Sequence, residues 1–217
     1  MGFYAKYFFA PLMDWSLRRH DIEALRERVV SQAAGDVLEI GFGTGLNLPH
    51  YTDDVRRLTL LDNAELLPGR VAERINSCRA AKVDRLITSA ERLPLDDASL
   101  DCVVSTLTLC SIPDVAAALR EIRRVLRPDG KLLLLEHGRS DNPQIARWQD
   151  RLNPLQRIIA CGCNLNRPIE RLVADAGFGV GGLSLERLER APKVLAEIYV
   201  GHASPEASLP PAKDSRA

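Results

Sequence analysis

Short, continuous apolar runs alternate with helical patterns through the middle of the chain. Residues 115–126 carry apolar side chains at helical spacing with arginines on the opposite face, and residues 64–77 are a second predicted helix. Strands whose apolar residues are continuous rather than alternating are typical of a parallel sheet that is covered on both faces. The five predicted strands are residues 37–40, 58–61, 85–88, 102–105 and 132–135. The pattern therefore predicts an α/β fold, a single-domain, doubly wound and mostly parallel sheet.

Two further extended runs follow, at residues 178–185 and 194–200. The connection between them is too short for a helical crossover, so we expect an antiparallel pair at the C-terminal end of the sheet. Before them, residues 143–167 form an amphipathic insertion, which Pro154 is expected to break into two pieces. This insertion fits a lid over an apolar substrate, a basic face on anionic lipid, or an ordinary helix pair packed on the sheet.

Both ends of the chain differ in composition from the middle. Six of the eleven aromatic residues fall within the first fifteen positions: Phe3, Tyr4, Tyr7, Phe8, Phe9 and Trp15. This segment is too short to span a bilayer and lacks the pattern of a signal peptide. We interpret it as a helix packed on the protein, a helical lid, or an interfacial membrane contact. The predicted organisation is an N-terminal lid segment (1–20), one folded domain (21–201) and a disordered tail rich in Ala, Ser and Pro (202–217).

The charge balance and the cysteines exclude several classes of protein. The 29 basic and 29 acidic side chains cancel, so no surplus of positive charge favours nucleic acid as a partner. The five cysteines are an odd number without a secretory signal, which indicates a reducing, cytoplasmic environment. Cys161 and Cys163 are too close together for a CxxC pair and the four histidines are scattered, so no metal site is expected. The sequence leaves the oligomeric state open.

A glycine-rich loop at residues 39–45, E-I-G-F-G-T-G, follows the first predicted strand. Glycines in such a turn allow the backbone to approach a ligand closely and to present N–H groups at a helix start. The spacing of these glycines fits neither the dinucleotide fingerprint nor a P-loop. Asp62 closes the second strand, where a carboxylate can accept both hydroxyls of a ribose, and residues 89–95 follow the third strand, where the base of such a ligand would lie.

In this order and spacing, the loop and the acid resemble those of the class I S-adenosylmethionine-dependent methyltransferases, over roughly residues 21–201. The resemblance implies a Rossmann-like methyltransferase fold with S-adenosyl-L-methionine as the cofactor. It also implies that the glycine loop holds the methionine and ribose end of the cofactor. Asp62 would then bind the ribose hydroxyls, and the segment at Glu91 would flank the adenine. Phe42 departs mildly from the family, in which a small residue is frequent. The residues expected at the cofactor are Glu39, Gly41, Gly43, Gly45, Asn47, Asp62, Asn63, Ala90, Glu91 and Thr106, with the hydroxyl groups of Tyr4 and Tyr7.

Three less general stretches indicate one branch of that family. Residues 105–111, 136–138 and 162–167 look like those of the mammalian microsomal alkyl-thiol methyltransferases and of bacterial phospholipid- and quinone-type methyltransferases. The resemblance implies methyl transfer to a small lipophilic acceptor: first a thiol, second a phosphatidylethanolamine-type amine, third a quinone-like carbon. The mammalian enzymes carry an N-terminal hydrophobic anchor. Only the short aromatic segment stands at that place here, so a peripheral membrane contact is the corresponding expectation.

His137 is the candidate catalytic base because it follows the fifth strand, at the edge where ligands bind, and has an ordinary pKa of about 6.5. The alternative is that its ring only orders the loop. The residues expected at the acceptor are Leu107, Cys110, Cys163, Asn164 and Arg167. The cysteines could instead be inert core residues, and the two polar residues could cap the next helix. A cofactor-binding module without chemistry is the alternative of another class, and residues 106–109 disfavour a nucleic-acid methyltransferase.

Overall fold

The computed structural model describes residues 4–206, without the side chains of residues 5 and 6. A π-helical segment, Ala5–Phe9, leads into the first helix. The α-helices are α1 (Ala10–Ser16), α2 (His20–Val30), α3 (Pro68–Asn76), α4 (Val115–Val125), α5 (Pro143–Ile159) and α6 (Ile169–Asp175). The strands are β1 (Gly35–Ile40), β2 (Val55–Asp62), β3 (Val83–Ile87), β4 (Leu100–Thr106), β5 (Leu126–His137), β6 (Phe178–Arg187) and β7 (Glu197–Pro205).

The seven strands form one sheet in the order β3-β2-β1-β4-β5-β7-β6. Strands β1 to β5 pair in parallel and β7 pairs antiparallel with both β5 and β6, which confirms the predicted sheet and its antiparallel end. The chain order reverses between β1 and β4, and ligands of such sheets bind beside that reversal, at the carboxyl ends of the strands. Ile40, Thr106 and His137 end β1, β4 and β5 at this edge. The fold thus brings Thr106 and His137 to the same edge as the glycine loop.

Two apolar layers cover the sheet, one on each face, and β5 shows why its apolar run is continuous. Leu132 and Leu134 pack into the layer that contains Ile122 of α4. Leu133 and Leu135 pack into the layer on the other face, which contains α2. All four leucines are almost completely buried because each of positions 132–135 faces one layer or the other.

The insertion helix α5 continues through Pro154, so the expected break into two pieces is wrong. Proline removes one N–H group from a helix and crowds the preceding turn. The neighbouring Asn153 compensates with two contacts outside the helix. Its Oδ1 accepts a hydrogen bond from the backbone N–H of Leu165 at 2.8 Å, and its Nδ2 donates one to Asn164 Oδ1 at 3.3 Å. These tertiary contacts hold the helix together, and a sequence pattern does not show them.

The chain departs from the prediction at three other places. The helix predicted over residues 64–77 begins only at Pro68, as α3. A single 3₁₀ turn, Leu48–His50, follows the glycine loop where the start of an α-helix was expected. β7 continues to Pro205, so the predicted tail begins too early; Ala203 is fully buried opposite Leu132, where a small side chain fits the sheet. The rest of that tail, residues 207–217, lies outside the described residues. Between residues 4 and 206, no helix has the length and apolar character needed to cross a bilayer.

Candidate active site

A cavity of about 420 Å³ opens at the carboxyl edge of the sheet, between the glycine loop, the ends of β4 and β5, and helices α1, α2 and α5. Most of its surface is apolar. Of the predicted site residues, those lining the cavity are Glu39, Gly41, Gly43, Asn47, Thr106, Leu107, Cys110, His137 and Cys163. Those outside its lining are Tyr4, Tyr7, Gly45, Asp62, Asn63, Ala90, Glu91, Asn164 and Arg167. The sequence therefore located the cavity, although not every residue expected around it.

Glycine is required at Gly41 and Gly43 of the loop, but the surroundings of the two positions differ. Gly41 has φ +71°, and a Cβ atom there would lie 2.2 Å from Thr108 Cγ2, so the loop packs directly against the segment after β4. Gly43 has φ +54°, and a Cβ atom there would meet only the Gly41 carbonyl, at 3.9 Å. The loop thus leaves open space at Gly43. The Gly43 N–H also donates a hydrogen bond to Asp62 Oδ2 at 3.0 Å, which fixes the loop to the end of β2.

A buried polar network lies beneath the loop, with Asn47 at its centre. Asn47 Nδ2 donates to Glu39 Oε1 at 2.9 Å and to Thr106 Oγ1 at 3.0 Å. The Tyr51 hydroxyl donates to Glu39 Oε2 at 2.8 Å, and Arg26 Nη1 donates to Asn47 Oδ1 at 2.6 Å. Burial raises the pKa of Glu39 to about 7, against the lowering effect of its hydrogen bonds and of the Arg26 charge. The network holds Glu39, Asn47 and Thr106 together, as expected for one site.

Arg26 is the functional candidate that sequence reasoning missed. Its side chain is only 3% exposed and lines the cavity, and its Nε and Nη2 atoms have no hydrogen-bond partner among the described residues. Nε forms an ion pair with Glu23 Oε2 at 3.5 Å. Burial lowers the pKa of Arg26, but arginine keeps its proton. A signal was present, because Arg26 lies on the face of α2 that also buries Ile22 and Val29.

A buried guanidinium with unpaired donors is stabilised by an anionic ligand. The carboxylate of a methionine moiety fits these donors, and the open backbone at Gly43 leaves room beside them. The described residues therefore fit the amino-acid part of S-adenosylmethionine.

The N-terminal segment is attached to the glycine loop through one buried acid, Asp14. The carboxylate of Asp14, in α1, is fully buried and accepts hydrogen bonds from Arg74, at 2.7 Å, and from Arg70. Arg74 Nη1 also donates to the Thr44 carbonyl at 2.6 Å. Burial alone would raise the pKa of Asp14, but the hydrogen bonds and charges of the arginines hold it below its usual value.

The aromatic side chains of the lid segment point in several directions. Phe9 is half-buried and lines the cavity. The Tyr4 hydroxyl donates to the Ile159 carbonyl at 2.9 Å, so it contacts the end of α5, and its contact with the cofactor stays a prediction. Tyr7 is 57% exposed and lies outside the cavity lining. Phe8 and Trp15 are also exposed, and Phe3 lies outside the described residues.

The acids at the end of β2 and after β3, Asp62 and Glu91, are engaged with backbone groups. Asp62 Oδ1 accepts from the Ala64 N–H at 3.3 Å, and burial raises the pKa of this carboxyl. Glu91 Oε1 accepts from the Asp114 N–H at 2.7 Å, at the start of α4, and Ala90 is packed in the core. Asn63 is exposed. Glu91 and Ala90 thus position the segment after β3, and a direct contact with a ligand stays a prediction.

Three side chains that are far apart in the sequence form a cluster in the cavity wall. His137 Nε2 lies 2.8 Å from Cys163 Sγ, and Cys163 Sγ lies 3.5 Å from Cys110 Sγ. We call Cys110, His137 and Cys163 the acceptor cluster. Burial alone would lower the pKa of His137, but the contact with Cys163 and the charge of Glu136 raise it above its usual value. His137 Nδ1 is buried and has no partner among the described residues.

Asn164 and Arg167, expected at the acceptor, instead fix the loops that carry the cluster. Asn164 Nδ2 donates to the Cys110 carbonyl at 2.8 Å. Arg167 donates to the Ile112 carbonyl at 2.6 Å and to the Leu109 carbonyl. Because these donors are used on backbone carbonyls, the two residues hold the loop after α5 against the loop after β4.

The strand order and the site at the carboxyl edge are those of a methyltransferase. Residues 38–134 match a family model described as a methyltransferase domain. A solved structure of the Burkholderia thailandensis 1,6-didemethyltoxoflavin-N1-methyltransferase, with S-adenosylhomocysteine bound, has the same fold: the TM-score is 0.64 at 18% sequence identity, over 92% of this chain and 84% of that one.

Two curated relatives narrow the family. The human thiol S-methyltransferase TMT1B is 32% identical over 209 residues, which cover 91% of this chain and 82% of that protein. The phosphatidylethanolamine N-methyltransferase of Cereibacter sphaeroides is 29% identical over 147 residues, 67% of this chain and 71% of that protein. The chain belongs to the S-adenosylmethionine-dependent methyltransferases, in the family that includes these two enzymes. Its cofactor is S-adenosylmethionine.

Proposed function

We propose that the acceptor is a small lipophilic thiol, which the enzyme converts to a methyl thioether. The observation that carries this proposal is the cavity itself, because its apolar walls enclose both the glycine loop and the acceptor cluster. A volume of about 420 Å³ lies in the range of small-molecule sites. The large apolar lining side chains are Phe9, Met13, Leu17, Ile22, Leu25, Phe42, Leu46, Leu66, Leu107, Leu135, Leu188, Leu195 and Ile198. The likeness to a thiol S-methyltransferase supports the same acceptor.

Four groups of this chain hold the cofactor in the proposed complex. Arg26 binds the methionine carboxylate through Nε and Nη2, the backbone at Gly43 approaches the ligand, and Asp62 accepts the ribose hydroxyls. Thr106, fixed by Asn47, closes the site from β4. S-adenosylmethionine, when bound, supplies an electrophilic methyl group on a sulfonium. The protein then contributes mainly by positioning the acceptor in line with that group.

His137 prepares the acceptor in this account. A free thiol has a pKa of about 8.5, and the thiolate is the reactive form. We assign proton acceptance to His137 Nε2, which faces Cys163 in the cavity wall, 2.8 Å from its Sγ. Glu136 keeps this end of β5 in place, because its Oε1 accepts from Ser105 Oγ at 2.7 Å and from the Thr108 N–H at 2.9 Å. The raised pKa of His137 makes it a stronger base than an ordinary histidine.

The proposed acceptor is tested with three classes of substrate. The enzyme and S-adenosylmethionine are incubated separately with a panel of lipophilic thiols, with phosphatidylethanolamine vesicles and with a demethylquinone, and S-adenosylhomocysteine release is measured. We expect release with the thiols. Release of S-adenosylhomocysteine with the vesicles alone would overturn the thiol proposal. It would favour the phosphatidylethanolamine amine, the acceptor given in the name of the Cereibacter relative.

We also propose that the mouth of the cavity rests on a lipid surface. Exposed apolar side chains come from two elements that also line the cavity, and the Tyr4 hydroxyl joins the N-terminal segment to the end of α5. Trp15 and Ile158 are each 75% exposed, and Arg151 lies 5.4 Å from the Trp148 ring, as a basic group at a lipid interface would. Leu12, Leu155 and Ile159 are also exposed on α1 and α5, and we call this set of residues on the two helices the mouth surface. A lipophilic acceptor could then enter from the membrane.

Co-sedimentation with anionic vesicles tests this surface. The double variant Trp15→Ser/Ile158→Ser should bind the vesicles at least about tenfold more weakly, since two large apolar side chains no longer enter the lipid. Ile87→Ser is the matched control, because Ile87 is 52% exposed at the end of β3, away from the mouth surface. Equal binding of the double variant and the control would overturn the proposal.

A further inference from the structure

We propose that the acceptor cluster is also a binding site for a thiophilic divalent cation, with Zn²⁺ as the first candidate, and that its occupancy stops methyl transfer. The effect on turnover rests on the proposed function; the binding does not. Cys110 follows β4, His137 ends β5 and Cys163 follows α5, so three separate elements supply one ligand atom each. Two thiols and one imidazole are a ligand set that zinc accepts.

The distances between the three ligand atoms suit a tetrahedral ion. All of them lie within 4.8 Å of one another, with 2.8 Å between His137 Nε2 and Cys163 Sγ and 3.5 Å between the two sulfurs. Zinc bonds of about 2.3 Å to sulfur and about 2.1 Å to nitrogen separate tetrahedral ligands by roughly 3.5–3.8 Å. The two sulfurs already have such a separation. The imidazole has to move from Cys163 by less than about 1 Å, a shift within reach of a side-chain rotation.

The surroundings favour the ion chemically. Cys110 and His137 are buried, Cys163 is half-buried, and all three line the cavity, so an ion can enter and its fourth position faces the cavity. Each thiol releases its proton to water as its sulfur binds, and the two thiolates neutralise the double positive charge of the ion. An apolar wall accepts such a neutral complex more easily than a charged one. Sulfur and imidazole ligands also select zinc over magnesium or calcium.

Zinc at this position competes with the proposed chemistry. The ion occupies the Nε2 lone pair of His137, which then cannot accept the proton of the substrate. The ion and its fourth ligand also fill the space beside Cys163. Turnover should therefore fall as zinc binds, without loss of the fold.

Cobalt spectroscopy tests the site independently of activity. The full chain is reduced, freed of metal with a chelator and titrated with Co²⁺, whose tetrahedral thiolate complexes have characteristic absorption bands. We expect one Co²⁺ per chain, displaced by Zn²⁺ and unaffected by Mg²⁺. Cys110→Ser and Cys163→Ser should each lose the thiolate bands. Cys161→Ser is the matched control, because Cys161 is exposed two positions before Cys163 and should leave the bands unchanged. No bands in the wild type, or equal bands in Cys110→Ser, would overturn the site.

Thiol turnover at a buffered concentration of free Zn²⁺ tests the consequence. At a concentration that saturates the wild type, turnover should fall at least about tenfold in the wild type and in Cys161→Ser. Cys110→Ser, which keeps the proposed base, should be inhibited several-fold less at the same free zinc. Inhibition of all three to the same extent, or a rise in turnover, would overturn the inhibitory role. Absence of thiol turnover without zinc would contradict the proposed function instead, and the cobalt titration would still decide the site.

Discussion

At the scale of single residues, Arg26 gives the most specific prediction about how the cofactor is bound. It is buried beneath the glycine loop and lines the cavity; Nη2 has no partner among the described residues, and Nε has only the ion pair with Glu23 Oε2 at 3.5 Å. Replacement by methionine should weaken S-adenosylmethionine binding by about ten- to a hundredfold, the value of a charged hydrogen bond of roughly 1.5–3 kcal/mol. The binding of 5′-methylthioadenosine, which lacks the amino-acid part, should not change. Both affinities are measured by isothermal titration calorimetry.

Comparison of the two ligands distinguishes a direct contact between Arg26 and the methionine carboxylate from a role of Arg26 in supporting the loop. Arg28→Met is the control on the same helix, because Arg28 is half-exposed and pairs with Glu186. An equal loss for both ligands in Arg26→Met would mean that Arg26 only supports the loop through Asn47.

If His137 is the base, the rate of methyl transfer depends on pH. A base acts when it is deprotonated, so kcat/KM for a thiol should rise with pH through the pKa of His137, which Cys163 and Glu136 raise above the ordinary value. His137→Ala should lower kcat/KM at pH 7 by about 10²-fold, and its rate should then rise only as the thiol itself ionises, at a pKa of about 8.5. An acidic aromatic thiol, already ionised at pH 7, should lose much less. His20→Ala serves as the control because His20 is exposed at the start of α2. Undiminished turnover of an alkyl thiol by a folded His137→Ala variant would remove the base from the account.

At the scale of elements, α1 depends on one buried contact. Asp14 joins it to Arg74, which also binds the glycine loop, and no apolar side chain of α1 is as deeply buried except Ala10. Asp14→Asn should weaken this attachment by about 1–3 kcal/mol, since the charged hydrogen bonds become neutral ones. Limited proteolysis should then cleave the N-terminal segment faster. Because the pKa of Asp14 is lowered, the contact persists through neutral pH and is lost only as the pH falls below the ordinary value of 3.8.

The control for this prediction is Asp21→Asn in the neighbouring helix. Asp21 pairs with Arg19 near the surface, where about a third of each side chain is exposed. Cleavage of Asp14→Asn at the wild-type rate would contradict the attachment of α1 through Asp14.

At the scale of the whole molecule, the regular parts were predictable for a physical reason. The centre of the sheet is buried on both faces, so β1, β4 and β5 contain continuous apolar runs, and the short connection before β7 leaves only an antiparallel pairing. The glycine loop was also visible, because its backbone conformation demands glycine at Gly41 and Gly43.

The parts that escaped prediction depend on tertiary contacts. Arginine is usually found on the protein surface, so Arg26 becomes a candidate only because α2 buries it beneath the loop. Pro154 breaks an isolated helix but not one that is held by Asn153. Cys110 and Cys163 are 53 positions apart, and only the packing of two loops brings their sulfurs to 3.5 Å. The burial of Arg26, the continuity of α5 and the formation of the acceptor cluster all depend on residues that are close in space but distant in the sequence. A pattern along the chain does not show such neighbours.

The central claim is that this methyltransferase acts on a lipophilic thiol. The most direct measurement is a competition in which one reaction holds a lipophilic thiol, phosphatidylethanolamine vesicles and a demethylquinone together with S-adenosylmethionine labelled with deuterium in its methyl group. Mass spectrometry then locates the label. The account predicts that the label appears in the methyl thioether, in an amount equal to the S-adenosylhomocysteine released. Label in the phospholipid amine or on the quinone ring, with the thiol unmodified, would contradict it.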